Sequence, residues 1–229
     1  MRSWLIVLLA FAALGIFRAQ SPPPAAHRME VTVERLEHGT WKPKDPGLVF
    51  AHNDVVRFGF RANFDGYLYV LNRGTSGKYE QLFPRGETGQ DNRITAGAQY
   101  TIPATDAEFR IAGPAGYDLI YWLASPVKLA TDTLKQAPGE TVKEAPQPRP
   151  EDFMPRCDDA IFRARGECVD SSAGPQGLAK GEQLPGGFAE SGAKTPRDLI
   201  FLRRGKTTVM SSPAPLTGPV IYEFRLAHK

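Results

Sequence analysis

The sequence predicts an all-β protein, an antiparallel immunoglobulin-like β-sandwich, on three observations. Runs such as VVRFGFRA (55–62) and VIYEFRLA (220–227) place apolar residues at every second position, the period of a half-buried strand. Such runs recur about every ten residues between Gly, Pro and Asn turns, the spacing of a sandwich. No long stretch carries the 3.6-residue apolar period of an amphipathic helix.

Residues 1–20 read as a secretory signal peptide. Met1-Arg2 gives a short basic start, and Trp4–Phe17 is an uncharged, mostly apolar run of 14 residues. A membrane-spanning helix needs ~20 apolar residues, and Arg18 and Pro22-Pro23-Pro24 close this run. Cleavage is expected between Ala19 and Ser21. No cysteine lies in or just after the apolar run to carry acyl chains, so the mature protein is expected to be soluble, touching the membrane only through its export signal. Removing Arg2 and Arg18 from 28 basic residues leaves 26 against 25 acidic ones, scattered along the chain. That is no basic face for nucleic acid, whose phosphates must be neutralised several at a time.

Residues 21–28 form a Pro/Ala tether, and residues 29–125 are expected to form the sandwich core. Met29, Val31 and Val33 alternate with Glu30, Thr32 and Glu34 in a first strand. Glu37–Asn53 carries turn residues around Trp41 and Pro46 and reads as a long surface connection. In Val55–Ala62, Val56, Phe58 and Phe60 face one side and Arg57, Gly59 and Arg61 the other. After the turn formers Asn63, Asp65 and Gly66, Tyr67–Leu71 is apolar or aromatic throughout, as in a strand covered on both faces. Lys78–Phe83 alternates Tyr79, Gln81 and Phe83 against Leu82 and stops at Pro84, which has no N–H to donate. Pro84–Asn92 is a polar loop. Arg93–Ile102, Glu108–Ile111 and Tyr117–Ala124 read as three further strands, the last the most hydrophobic.

Residues 126–197 are expected to leave the sandwich as a Pro/Gly-rich excursion. Six prolines lie among charges between Pro126 and Pro155, and Ser171–Thr195 is too rich in Gly, Ser and Lys to bury a core, so it reads as loop. Between them Asp158–Arg165 suits two turns of helix, with acidic residues at its start and basic ones at its end. Cys157 and Cys168, eleven positions apart in an apparently exported chain, are expected to form a structural disulfide contributing ~3 kcal/mol by loop closure. Residues 198–229 supply a hairpin around Arg204-Gly205 and a final strand, with Val220, Tyr222, Phe224 and Leu226 on one face. They are expected to return and complete the sandwich.

GYLYVLN (66–72), GKYEQLFP (77–84), NRITAG (92–97), YTIP (100–103) and AGPAGYDLIYWLAS (112–125) together resemble the bacterial domain of unknown function numbered 4384. The resemblance covers about Val55–Ser125. It implies a β-rich accessory or binding module of exported proteins, and no catalytic residues come with it.

The chemistry-bearing residues form no recognisable motif. His27, His38, His52 and His228 are dispersed, without a His-Glu-X-X-His pair, and read as surface residues. Ser76 lacks the Gly-X-Ser-X-Gly context of a nucleophile elbow, and GFAESGAKT (187–195) departs from a phosphate loop at Ala193 and Pro196. Asp158, Asp159, Glu167 and Asp170 lack the spacing of a calcium loop, and nothing brings Glu80, Asp91 and Asp106 together as an acid–base pair. No cofactor is expected. Tyr67, Tyr69, Tyr79 and Phe83, on neighbouring strands, are the candidate interaction surface if exposed, and a second core layer if the C-terminal strands cover them. The expectation is a non-enzymatic, periplasmic or extracellular module binding an envelope protein or polysaccharide. An envelope hydrolase and a structural component of an envelope assembly are the alternatives.

Overall fold

The computed structural model describes residues 26–130, 154–178, 184, 188–189 and 191–229. The expected signal peptide, the expected tether up to residue 25 and the Pro-rich stretch 131–153 lie outside the described residues. In chain order the elements are β1 (His27–Glu37), β2 (Thr40–Pro43), β3 (Val55–Ala62), β4 (Gly66–Arg73), β5 (Tyr79–Phe83), β6 (Arg93–Ile94), β7 (Gln99–Ile102), β8 (Phe109–Arg110), β9 (Gly116–Ser125), α1 (Asp159–Arg165), β10 (Gly174–Gln176), β11 (Ile200–Arg204), β12 (Thr207–Ser212) and β13 (Val220–His228).

Two antiparallel sheets pack face to face. The first runs β11-β12-β1-β3-β7, with β2 beside β1 and β8 beside β3. The second runs β10-β13-β9-β4-β5, with β6 beside β4. Adjacent β1, β3 and β7 facing adjacent β13, β9, β4 and β5 is an immunoglobulin-like arrangement. The C-terminal hairpin joins one sheet and the final strand the other: Met210 pairs with Met29, and Tyr222 with Trp122.

Alternation fills the space between the sheets. Met29, Val31, Val33, Phe58 and Phe60 project from the first sheet onto Leu68, Val70, Trp122, Tyr222 and Phe224 of the second. Trp122 is fully buried, its ring edge-on to Phe58 at 5.5 Å and to Phe60 at 5.9 Å, geometries the aromatic quadrupole favours.

Several expected boundaries move. β1 begins at His27 rather than Met29, because β12 pairs with it back to His27 and the His27 ring lies 2.7 Å from the Ala214 carbonyl. The connection Glu37–Asn53 is no surface loop. His38 and Gly39, both at positive φ, reverse the chain into β2, and Leu48, Val49 and Phe50 are buried. Phe50 is drawn in by the chain terminus, donating its N–H to Ala227 and accepting from Lys229. Arg93–Ile102 divides into β6 and β7, since the Gly97 N–H turns back to the Ala62 carbonyl at 2.7 Å. Within Ser171–Thr195, Gly174–Gln176 forms β10 by pairing with Arg225–Glu223 of β13. Gly66 is required for close approach rather than for a left-handed turn: a Cβ there would stand 2.5 Å from the Ser125 carbonyl oxygen.

Candidate interaction surface

The four aromatic candidates do not share an exposed face. Opposite β4 the register of β5 slips, so that Gln81 pairs with Leu71 but Phe83 with Val70. This bulge leaves Leu82 as the extra residue and turns Phe83 into the central core, where both are buried. Tyr67, Tyr69 and Tyr79 do point together, outward from the second sheet. They meet Leu71, Tyr121, Leu123 and Ile221 there, under Leu129, Leu178, Leu184, Phe188 and Ala193. The excursion, rather than the returning C-terminal strands, therefore covers this face. Tyr69 is fully buried, and its hydroxyl accepts from the Leu129 N–H at 2.8 Å while donating to the Leu129 carbonyl at 3.2 Å. Tyr79, half-buried, stacks on Tyr121 with its ring 5.7 Å from the Arg73 guanidinium.

Over β1 and β3 the outer face of the first sheet is polar and internally neutralised. Arg61 donates to Glu30 at 2.8 Å and Arg57 to Glu34 at 2.5 Å, each pair cross-strand neighbours of β3 and β1. The Arg57 guanidinium also lies 4.4 Å from the Trp41 ring centroid. A hollow of about 420 Å³ opens beside this ladder, lined by Arg28, Glu30, Arg61, Ala62, Asn63, Ala96 and Gly97. Its three charges are spent on one another, Arg28 and Arg61 both reaching Glu30.

At the end of the ladder Glu37 receives Lys44 at 2.6 Å and the Arg35 guanidinium, which also reaches Asp54 at 3.2 Å. Hydrogen bonds from Lys44 and then Arg35 hold the Glu37 carboxyl down to about 2, against an ordinary value of 4.5. A depressed carboxylate stabilises the fold above its unfolded pKa and loses that contribution as pH falls through the folded one. Glu37→Gln should therefore be less stable than the wild type at pH 7, with the gap closing between about pH 4.5 and pH 2. Urea midpoints of both proteins measured across that range check it, and a gap independent of pH would contradict it.

The disulfide-clipped arm is the third surface. Cys157 and Cys168 are bonded with their Cα atoms 4.7 Å apart, as the sequence predicts. Within this clip Asp158 caps α1, its side chain accepting from the N–H groups of Ala160 and Ile161 at 2.9 Å each. Gly166 ends the helix in the left-handed conformation, donating to the Phe162 carbonyl. The arm is tied to the sandwich from Val49 N–H to Cys168 C=O and from Asp170 N–H to Gly47 C=O.

Asp170 is the anchor. Its buried carboxylate accepts from the Tyr117 hydroxyl at 2.6 Å, the Arg156 N–H at 2.5 Å and the Ser172 N–H at 2.7 Å. Burial works against the charge, but these donors outweigh it and hold Asp170 below the usual carboxylate range. Burial and then the Asp170 bond push the Tyr117 hydroxyl up. Asp158 and Asp170, weighed as calcium ligands, are thus occupied in capping and anchoring.

Held this firmly, α1 still buries none of its residues. Phe162 is 53% exposed, and Met154 at the base of the arm is 49% exposed. Sequence reasoning did not single out either residue. Nothing in DAIFRAR distinguishes an exposed phenylalanine from a packed one, because a seven-residue helix is too short for its apolar face to declare itself.

The remaining candidates are dispersed. Glu80 contacts Arg85, and Asp91 accepts from the Arg93 N–H at 3.1 Å. Two of the four histidines are not at the surface: His27 and His228 are buried at the two ends of the sandwich strands, with His228 Nε2 3.5 Å from Asp118 Oδ1. Pro84–Asn92 is also less open than its polarity suggests, since Thr88 and Asn92 are buried and donate to the carbonyls of Leu82 and Leu68. Among the described residues no three His, Cys, Asp or Glu side chains are arranged to hold a metal ion, and no helix is long and apolar enough to cross a membrane.

Two antiparallel sheets with a clipped arm define the class: a β-sandwich with a helical appendage. Within it, residues 49–128, about a third of the chain, match the model of a family described as a domain of unknown function, DUF4384. No curated protein and no solved structure matches the chain. The matched region holds β3 to β9 but not β1, which pairs with β3, nor β13, which pairs with β9, nor β12 beside β1. The arm lies outside it as well.

Proposed function

We propose that this chain is an exported, non-enzymatic β-sandwich module that binds a protein partner in the bacterial envelope through its disulfide-clipped arm. The observation that supports this most is the contrast between how firmly α1 is held and how little it packs. A disulfide, a capping aspartate and the Asp170 anchor fix a helix that buries nothing and leaves Phe162 in solvent. Fixing an apolar side chain in advance removes ordering entropy from binding, and a rigid aromatic is the commonest energetic centre of a protein interface. The apolar segment at 4–17 and the use of both cysteines in a disulfide fit an oxidising compartment.

The test is site-specific photo-crosslinking in the source bacterium, with the reactive residue at position 162 or at the exposed Thr40 of β2. Position 162 is expected to capture one envelope protein and position 40 not. Phe162→Ala should weaken binding of that protein by about thirtyfold, the loss typical of an interface hot spot. No specific adduct from position 162, or binding unchanged in Phe162→Ala, would sink the proposal.

A further inference from the structure

The bridge between Cys157 and Cys168 is placed where it can open without parting the sheets. In an antibody-type sandwich the disulfide runs between the two sheets through the core. Here it closes one loop of the arm, over a sequence separation of 11. Cys168 is half-buried against the cluster of Val49, Tyr117, Ala173 and Ala227, whereas Cys157 is exposed. Position 157 is the accessible side of the bridge, and exposed disulfides are the ones that exchange with thiols.

What the bridge holds is α1. The helix has seven residues and buries none of them. An isolated helix shorter than ~12 residues is marginal in water, so α1 takes its order from the closed ends of its loop. Those ends are drawn together by the disulfide, by the Asp158 N–H on the Val169 carbonyl at 2.7 Å and by the Arg156 N–H on the Asp170 carboxylate at 2.5 Å. Cutting the disulfide leaves the two hydrogen bonds to oppose the loop-closure entropy that the bridge had removed. The downstream end keeps its own bonds to the sandwich, from Val49 N–H to Cys168 C=O and from Asp170 N–H to Gly47 C=O. Reduction therefore opens α1 and spares the sheets.

We infer that the Cys157–Cys168 bridge is a redox switch, ordering α1 when oxidised and releasing it when a dithiol reduces it. One thiolate of the dithiol attacks Cys157 Sγ, the bond between the cysteines breaks and Cys168 leaves as a thiolate. The second thiolate of the dithiol then resolves the mixed disulfide and frees Cys157. The two cysteines gain two electrons and the two protons that the dithiol gives up, and the dithiol ends as a disulfide. The withdrawal of Phe162 that follows rests on the binding role proposed for the arm, whereas the opening of α1 does not.

Hydrogen exchange of the purified full-length protein before and after dithiothreitol, with free thiols counted by alkylation and mass, tests the switch. The amides of Phe162 and Gly166, which donate to the Asp158 and Phe162 carbonyls along α1, should lose about tenfold or more of their protection on reduction. Those of Trp122 and Phe224 should keep theirs. The double variant Cys157→Ser with Cys168→Ser should exchange as the reduced protein does, and photo-crosslinking from position 162 should yield its adduct in the oxidised form alone. A bridge that stays closed under dithiothreitol in the folded protein overturns the inference, as does unchanged protection of Phe162 and Gly166 with both thiols free. So does a loss of protection that extends to Trp122 and Phe224, a double variant that does not fold, or equal adducts from both forms. If α1 opens and neither form gives an adduct, the binding role fails and the switch stands.

Discussion

A chain ending at Pro219 is expected to lose the cooperative fold altogether. The missing β13 pairs with β9 from Val220 to His228 and places Ile221, Tyr222, Phe224 and Leu226 in fully or almost fully buried positions. Burying an aliphatic or aromatic side chain of this size contributes about 1.5–3 kcal/mol. Four of them together rival the roughly 5–15 kcal/mol by which a whole domain is stable. The truncation also strips one edge of β9, the strand that carries Trp122, and an exposed hydrophobic edge invites aggregation. Far-ultraviolet circular dichroism and urea titration would show a chain without a sigmoidal transition. Cooperative unfolding at the full-length midpoint would mean that the C-terminal strands are an independent unit.

The second large effect belongs to Asp170→Ala. The substitution removes the acceptor of three donors, the buried Tyr117 hydroxyl and the part-buried N–H groups of Arg156 and Ser172. A hydrogen bond to a charged group is worth about 1.5–3 kcal/mol, and a buried donor left unmade costs a similar amount. The three bonds share one carboxylate and are not additive, so a net loss of about 3 kcal/mol is expected. Tyr117→Phe, which removes one donor and leaves the carboxylate its two backbone partners, should lose about 1 kcal/mol. Urea unfolding of the two variants gives the comparison. A wild-type midpoint for Asp170→Ala would show that the arm is not anchored through this carboxylate.

Strands with one wet face were legible because alternation survives in them. Met29–Val33 and Val55–Ala62 show it and lie where their pattern predicts, whereas Val220–Leu226 alternates but has both faces covered, Ile221 and Glu223 being fully buried. Tyr67–Leu71, apolar throughout, reads as covered on both faces, and Leu68 and Val70 do face the central core while Tyr69 and Leu71 face the outer layer. Alternation fails where one residue is inserted. The bulge at Leu82 adds a residue to β5 without any Gly or Pro to mark it, so strict alternation puts Phe83 on the wrong face.

The cover of the outer aromatic face was illegible for a different reason. Leu129, Leu178, Leu184 and Phe188 are single apolar residues scattered through polar, glycine-rich sequence, and no periodicity relates them. They find the sheet through tertiary packing alone. His228 likewise gives no local sign of burial, since only the return of β13 beside β9 brings it near Asp118. The arm divided along the same line. Its helix, cap and disulfide are local and were read from the sequence, whereas its anchorage depends on Tyr117, 53 residues from Asp170.

Native-state hydrogen exchange of the full-length chain measures most directly whether one sandwich, closed by its own C-terminus, carries the arm. Amides of Val31 in β1, Trp122 in β9, Val209 in β12 and Phe224 in β13 belong to strands paired across the excursion. They are expected to open with one common free energy, equal to that of global unfolding. A distinctly lower opening energy for Val209 and Phe224 than for Val31 and Trp122 would contradict a single unit and make the C-terminal strands a separate one.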